Sequence, residues 1–100
     1  MMATLHVLSH SPFTDSRLSS CLRILGSQDA LLFCGDAVYA LQNDSAQRQA
    51  LELMPESIAL YALDEDVQAR GLLCPTRLKQ VDYPGFVALS CQYDKVNTWL

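Results

Sequence analysis

Short, wholly apolar runs alternate along the chain with stretches whose apolar residues recur at helical spacing. An apolar run of roughly four to eight residues between turn residues is typical of a strand buried on both faces of a parallel sheet. Five strands are predicted, the fourth being the weakest: Ala3–Leu8, Ala30–Cys34, Ile58–Leu63, Leu78–Val81 and Val96–Leu100. Asp94 and Lys95 are expected to form the turn before the last strand.

Helices are predicted between these strands. In the first helix, apolar side chains at i, i+3, i+4 and i+7 share one face, and they are Leu18, Cys21, Leu22 and Leu25. Thr14 or Asp15 is expected to cap its start and Gly26 to end it. The other helices are predicted at Ala37–Leu41, Gln47–Leu53, Asp64–Arg70 and Asp82–Tyr93, with a polar surface stretch at Gln42–Arg48. Gly71 is expected to follow the helix at Asp64–Arg70 in a left-handed conformation.

This order of elements predicts the fold class. Strands that alternate with helices pair in parallel through right-handed crossovers, which place helices on both faces of the sheet. The predicted fold is a compact, doubly wound α/β fold with a mainly parallel five-stranded sheet. A chain of 100 residues has room for one modest core, so residues 1–100 are interpreted as a single domain.

The amino-acid composition and the net charge limit the possible partners and locations of the protein. Charged residues make up 18% of the chain, against about 25% in an average soluble domain, and this depletion is typical of surfaces that other subunits cover. A net charge of −4 makes nucleic acid a poor partner, because that affinity comes largely from cations that neutralise phosphates. No segment reaches the roughly 18 to 20 apolar residues that span a bilayer, and the start lacks the features of a secretory signal. A cytoplasmic location without membrane contact is expected.

The sequence lacks the common catalytic and ligand-binding motifs. The four cysteines are Cys21, Cys34, Cys74 and Cys91, and none forms a C-x-x-C pair. His6 and His10 have no third metal ligand near them in sequence, and no glycine-rich phosphate loop or nucleophile elbow occurs. We therefore predict no cofactor and no metal site. Asp64, Glu65 and Asp66 are interpreted as solvated carboxylates at a helix start, where the helix dipole favours negative charge.

Two side chains remain candidates for chemistry or binding. Cys21 is the candidate reactive thiol, although its place among the leucines of the first helix favours packing in the core. Cys74, which precedes Pro75, is expected to be the most exposed cysteine. Trp99 is expected to dock either on its own sheet or on another subunit, where Trp is a common anchor.

Several segments follow the order seen in the TusB/DsrH family. These segments are His10–Phe13, Ser20–Leu22, Leu31–Phe33, Asp36–Ala40, Leu60–Leu63, Asp66, Ala69–Gly71, Val81–Val87 and Val96–Leu100. The sequence resembles this family over nearly its whole length. No single motif is diagnostic, but the ordered set is fairly specific. The resemblance implies a DsrE/F-like α/β fold.

The resemblance also implies a function, that of a non-catalytic structural subunit in a TusBCD-type sulfur relay. TusC-like and TusD-like subunits would complete a heterohexamer. TusA-like and TusE-like carriers would pass sulfur toward 2-thiouridine at the tRNA wobble position, with no direct tRNA contact by this chain. The carrier cysteine of the sister subunit precedes a short helix ending in Arg-Gly, where this chain has Leu63 and Asp64. The interface candidates are Tyr39, Arg70, Phe86 and Trp99.

Two other functions stay open. One is a DsrH-type subunit of a sulfur-oxidation relay, or a persulfide carrier that uses Cys21, which matches a cysteine that DsrH-type members carry. The other is a stand-alone binder of a small ligand at the carboxyl ends of the strands, where sheets of this kind place ligands.

Overall fold

The computed structural model describes residues 3–11, 17–42, 45–72 and 76–99. The strands are β1 (Thr4–Leu8), β2 (Ala30–Phe33), β3 (Ala59–Leu63), β4 (Lys79–Val81) and β5 (Lys95–Trp99). The α-helices are α1 (Arg17–Ile24), α2 (Ala46–Glu52), α3 (Asp64–Ala69) and α4 (Tyr83–Gln92), and a 3₁₀ helix spans Gly35–Leu41. None of the helices in these ranges is long and apolar enough to cross a membrane. The predicted alternation of strands and helices is confirmed.

All five strands belong to one parallel sheet. Their order is β4-β3-β2-β1-β5. β2 lies at the centre and all of its residues are buried, as expected for a wholly apolar strand between two layers of helices. The chain adds strands outward from β1 to β4 and then returns to place β5 on the other side of β1. This reversal of direction confirms the predicted doubly wound fold.

The two faces of the sheet are covered unequally. Leu31 and Phe33 of β2 belong to a larger core, to which α1, the 3₁₀ helix, α2 and α3 all contribute side chains. Leu32 lies between them in sequence and so faces the other way, into a smaller core. Among the helices that the structure describes, α4 is the one that packs there, through Leu89 and the partly buried Phe86. We call these two sides the multi-helix face and the α4 face.

Two of the element boundaries that differ from the predicted ones have a clear physical cause. α2 begins at Ala46, inside the stretch predicted to be a polar surface segment, because the Ser45 hydroxyl accepts the N–H of Arg48 at 3.0 Å and caps the helix. The prediction that Lys95 forms part of a turn is wrong. Lys95 is the first residue of β5 and pairs with Thr4 of β1. In both places, hydrogen bonding extends the helix or strand beyond the apolar residues from which it was predicted.

The other predictions about helix ends have different outcomes. Gly71 follows α3 with a φ of 62°, so the expected left-handed conformation is confirmed. The predicted caps Thr14 and Asp15 lie outside the described residues, as does Cys74. The side chain of Leu18, predicted to share a face with Cys21, is also outside the described part of the chain.

Candidate functional site

A group of polar side chains lies where β2 and β3 end, at the edge of the sheet where α/β proteins place ligands. Gly35 follows β2 with a φ of 52°, and a Cβ on this residue would lie 3.2 Å from the carbonyl oxygen of Ser9. Glycine adopts this conformation without a steric penalty. The Gly35 N–H donates to Oδ2 of Asp66 at 2.8 Å. Gly35 therefore brings the loop after β2 against the first turn of α3. We call this region the carboxyl edge.

The three carboxylates at the start of α3 differ in their surroundings. Glu65 is exposed, whereas Asp66 is half-buried and accepts the N–H of Gly35. The backbone carbonyl oxygen of Asp66 also accepts a hydrogen bond from Arg70 at 3.2 Å. The interpretation of all three carboxylates as solvated is therefore wrong for Asp66. Its carboxylate holds the loop after β2 against α3.

Arg70 and Tyr39, two of the predicted interface residues, lie together at this edge. The Nη2 of Arg70 donates to Oδ1 of Asp36 at 2.8 Å, and its Cζ stands 5.5 Å from the centre of the Tyr39 ring, within cation–π range. The hydrogen bond to Asp36 is the main cause that raises the pKa of Arg70. Asp36 is 60% exposed, so the pair is displayed on the surface rather than enclosed in a pocket.

The carboxyl edge also contains a thiol. Cys34 directly follows β2, is half-buried, and donates through Sγ to the carbonyl oxygen of Leu8 at 3.5 Å. Burial, and secondly the negative charge of Asp66, raise the pKa of Cys34. Because the thiolate is the nucleophilic form, this environment makes Cys34 a poor nucleophile near neutral pH.

Cys21, the candidate reactive thiol, lies inside the larger core. Its side chain is 0% exposed, which confirms the prediction of core packing. Burial, and secondly the charge of Asp29, raise the pKa of Cys21 to about 12. A persulfide donor has no access to this thiol in the described conformation. Cys91 is exposed on α4, and Cys74 lies outside the described residues.

The two remaining interface candidates are partly buried in their own chain. Phe86 packs against the smaller core. Trp99 packs against the larger core, and its Nε1 donates to Nδ1 of His6 at 3.1 Å. Trp99 is therefore docked on its own sheet, which is the first of the two environments predicted for it.

The outer surface of α4 is apolar. Tyr83 is 52% and Val87 61% exposed, and Cys91 continues the same row one turn later. The helix contains no charged residue. Val96 of β5, which pairs with Leu5 of the smaller core, is 43% exposed on the same face. A helix that is apolar on all sides is normally buried, so this surface has the composition of an interface. We call the residues Tyr83, Val87 and Cys91 the α4 row.

A buried polar network that was not predicted from the sequence lies on the multi-helix face. His6 is 3% exposed, and its Nε2 lies 3.2 Å from Oδ2 of Asp29. Asp29 also accepts the N–H groups of Thr4 at 3.0 Å and Gly26 at 2.9 Å. Burial by itself would raise the pKa of Asp29, but the hydrogen bonds from Gly26, Thr4 and His6 outweigh it and lower the pKa. The sequence contains one signal of this network. Asp29 is a charged residue directly before a wholly apolar strand, and a carboxylate buried there needs hydrogen-bond partners.

A cleft of about 680 Å³ lies at the opposite, amino end of β3 and β4, with Glu56 and Lys79 in its lining. Arg77 borders the cleft, but its guanidinium donates to carbonyl oxygens at the end of α2 and in the segment that follows it, including those of Leu51 and Ile58 at 3.2 Å each. Arg77 therefore holds this loop in place and has little capacity left for a ligand. In the described ranges, no three His, Cys, Asp or Glu side chains are grouped as a metal ion would require.

Comparison with known proteins decides the family. The sequence model of the DsrH-like protein family matches residues 10–96. This chain belongs to that family. Protein TusB of Erwinia tasmaniensis is 39% identical over 97 residues, which cover 95% of this chain and 99% of that protein. Protein TusB of Yersinia enterocolitica and Protein TusB of Shigella dysenteriae are each 33% identical over the same shares. The predicted TusB/DsrH membership is confirmed, and it supports a role in sulfur relay in general.

Solved structures share the fold of this DsrH-family chain. The YchN protein of Escherichia coli has a TM-score of 0.80 and 20% identity, and the match covers 99% of this chain and all of that one. A protein of unknown function from Methanobacterium thermoautotrophicum, MTH1491, has a TM-score of 0.68 and 15% identity over 96% of this chain. At these identities the likeness concerns the fold alone, and it confirms the predicted α/β architecture.

Proposed function

We propose that this chain is a non-catalytic structural subunit of a TusBCD-type sulfur relay that supports 2-thiolation of the tRNA wobble uridine. Its membership of the TusB/DsrH family supports the relay. The observation that carries the structural role is the acidic carboxyl edge. The short helix before Arg70 and Gly71 begins directly after Leu63 with three carboxylates, and no cysteine stands at its start. Nearby carboxylates disfavour a thiolate by like-charge repulsion, which is the opposite of what a sulfur carrier needs.

The described thiols support the same assignment. Cys21 is sealed in the core, and the pKa of Cys34 is raised by burial and by Asp66. Cys91 is exposed, but it lies near the end of α4, which runs from the carboxyl end of β4 back to the amino end of β5. Among the cysteines that the structure describes, none combines exposure, position at the carboxyl edge and a favourable electrostatic environment.

The proposed partners are a TusC-like and a TusD-like subunit, two copies of each chain forming a heterohexamer. We assign the α4 row to the contact with one of these siblings. The row carries no charge, and among the described helices α4 is the one that covers the smaller core beneath it. A sibling that packs on Val87 would exclude water from the row and from the neighbouring Val96, which gives the apolar centre expected of a stable interface.

The carboxyl edge supplies a second, polar contact in this proposal. The exposed Asp36, held by Arg70 beside the Tyr39 ring, offers a fixed charge pair to a sibling that carries the reactive thiol. Such a rim contact would contribute more to orientation than to affinity. A TusA-like donor and a TusE-like acceptor would exchange sulfur with that sibling and not with this chain.

We further propose that the chain acts in the cytoplasm, without direct contact with tRNA or a membrane, and that residues 1–100 act as one domain. The net charge of −4 supports it, because tRNA backbones and anionic lipid surfaces both attract basic proteins. Any contact with tRNA would then come from another member of the relay.

Co-expression with the candidate siblings, followed by native mass spectrometry, tests the assembly. We expect a heterohexamer with the wild-type chain and a loss of assembly with Val87→Lys. Leu53→Lys is the matched control, since Leu53 is 85% exposed and projects from the multi-helix side of the fold. Assembly that survives Val87→Lys, or that is lost equally in both variants, would contradict the assignment of the α4 row.

Treatment of the assembled complex with a persulfide donor, followed by mapping of the modified cysteines, tests the non-catalytic role. We expect stable persulfide on a sibling and none on Cys21 or Cys34. A persulfide on Cys21 that forms in the native complex at the same rate as on the sibling would overturn the structural assignment.

A DsrH-type role in sulfur oxidation is the second candidate, because the family model that matches this chain is named for DsrH. Deletion of the gene would distinguish the two relays. Loss of 2-thiouridine from total tRNA supports the thiolation relay, whereas intact 2-thiouridine with impaired oxidation of reduced sulfur supports the other.

A further inference from the structure

The hydrogen bonds around His6 define which ring nitrogen carries the proton. The indole Nε1–H of Trp99 is only a donor, so Nδ1 of His6, 3.1 Å away, has to accept and cannot carry a proton. The remaining proton then sits on Nε2, which donates to the Asp29 carboxylate at 3.2 Å. His6 is therefore neutral in this arrangement, with one bond on each side.

We propose that His6 is a proton-operated latch that holds Trp99, and with it the edge strand β5, on the multi-helix face of the sheet. Uptake of a proton at Nδ1 turns that nitrogen from an acceptor into a donor. Two N–H groups would then face each other, and the bond to Trp99 is lost. The bond to Asp29 remains and becomes a charged pair. The latch does not depend on the sulfur relay and would act in any assembly that this chain joins.

Among the described residues, Asp29 is the titratable group that bonds to the His6 ring, and Cys21 interacts electrostatically with Asp29 in turn. The pKa of Asp29 is lowered from 3.8, and that of Cys21 is raised to about 12. Neither group changes its charge between about pH 8 and pH 5.5, the interval in which imidazoles ordinarily titrate. A transition of Trp99 in this interval would therefore come neither from Asp29 nor from Cys21.

The latch acts on the most exposed strand of the sheet. Lys95, Val96, Asn97 and Thr98 are all exposed, and Trp99 is the residue of β5 that packs into a core. Its ring lies 6.1 Å from the His6 ring, centre to centre. An edge strand that loses its side-chain anchor keeps its backbone pairing but becomes freer to twist or to accept another strand. Acidification would thus loosen this edge without unfolding the sheet.

The experiment uses Trp99 as a probe, because it is the single tryptophan of the chain. Its fluorescence and its indole N–H resonance are followed in the full-length protein from about pH 8 to pH 5.5. A protonated imidazole quenches a neighbouring indole, so we expect emission to fall along a one-proton curve. Protection of the indole N–H against exchange, corrected for intrinsic rates, should fall roughly fivefold, as expected for one lost hydrogen bond.

Two variants locate the transition. His6→Gln keeps a polar side chain that cannot take up a proton, and we expect its Trp99 signals to be independent of pH. His10→Gln is the matched control and should titrate like the wild type. A wild-type indole signal that stays constant across the interval overturns the latch, and so does a transition that persists in His6→Gln or vanishes in His10→Gln. The wild-type resonance decides the question even if His6→Gln does not fold.

Discussion

The multi-helix face and the α4 face use the same strands but differ in how completely they are covered. At β2 both faces are sealed, since Phe33 and Leu32 are each 0% exposed. On β3 the faces diverge. Leu60 is buried on the multi-helix face, whereas its neighbour Tyr61 is only partly buried on the α4 face.

Dimensions explain this difference. A ten-residue helix such as α4 is about 15 Å long and about 10 Å wide. Five strands extend over about 19 Å across the sheet, so one helix cannot cover them. The multi-helix face is therefore the more completely covered of the two, whereas the described residues leave part of the α4 face exposed, at the surface that we propose for a sibling subunit. Five substitutions test this contrast, beginning with the largest expected effect.

Two phenylalanines, one on each face, give the most direct test. Phe33→Ala should lower the free energy of unfolding by about 3–5 kcal/mol, because it leaves a cavity in the sealed core. Phe86→Ala should cost about 1–2 kcal/mol, because that ring is already partly in water. Urea denaturation of the isolated chain measures both values. Equal losses would mean that α4 seals its face as completely as the other helices seal theirs.

Asp29→Asn tests the polar anchor of the multi-helix face. Asparagine cannot satisfy all three donors, from Gly26, Thr4 and His6, so we expect a loss of about 1–3 kcal/mol near neutral pH. The folded pKa of Asp29 is lowered, so its stabilisation is complete above the unfolded value of 3.8 and is lost as the pH falls through the folded value.

Unfolding curves at several pH values check this sign. The difference between wild type and Asp29→Asn should shrink only in the acidic range. A difference that stays unchanged as the pH falls below about 3.8 would mean that the Asp29 carboxylate does not stabilise the fold.

Asp66→Asn tests the carboxyl edge, where Cys34 of the α4 face meets α3 of the other face. Removing this charge should lower the pKa of Cys34, and alkylation of Cys34 should quicken by a few-fold at most, because burial is the larger cause and persists. Mass spectrometry of alkylated peptides gives the rate. Asp64→Asn is the matched control and should leave it unchanged. If both variants react at the wild-type rate, Asp66 does not govern this thiol.

Val87→Lys should have the smallest effect on the isolated chain. Val87 is 61% exposed, so the free energy of unfolding should change by no more than about 0.5 kcal/mol, although the same variant is expected to abolish assembly. Urea denaturation measures this change. A loss above about 1.5 kcal/mol would mean that Val87 is part of the folded core, and the two faces would then not differ in how completely they are covered.

Much of the fold was predictable because its strands are continuous apolar runs. Ala30–Cys34 identified the central strand to within one residue. The extent of β5 was harder to predict, because Lys95 joins the sheet through backbone pairing with Thr4, which no side-chain pattern encodes. Ser45 was likewise hidden in a polar stretch until its hydroxyl was seen to cap α2.

The candidate site was predictable only in part. Arg70 and Tyr39 were expected at an interface, and the fold brings them together although the chain separates them by the whole of α2 and β3. Asp66 was misjudged because a carboxylate at a helix start has the same local sequence whether it is solvated or bound to Gly35. Local patterns carry no information on a partner so far away in the chain.

The periodicity of side chains along the sequence is enough to predict the alternation of strands and helices, the parallel pairing and the burial of Cys21. This is because the burial of an apolar face is a local property of each element. Other features depend on crossovers that bring distant segments together. They are the unequal covering of the two faces, the contacts of Arg70 with Asp36 and Tyr39, and the hydrogen bonds of His6 with Asp29 and Trp99. Such contacts exist only once the chain is folded, so three-dimensional packing alone decides them.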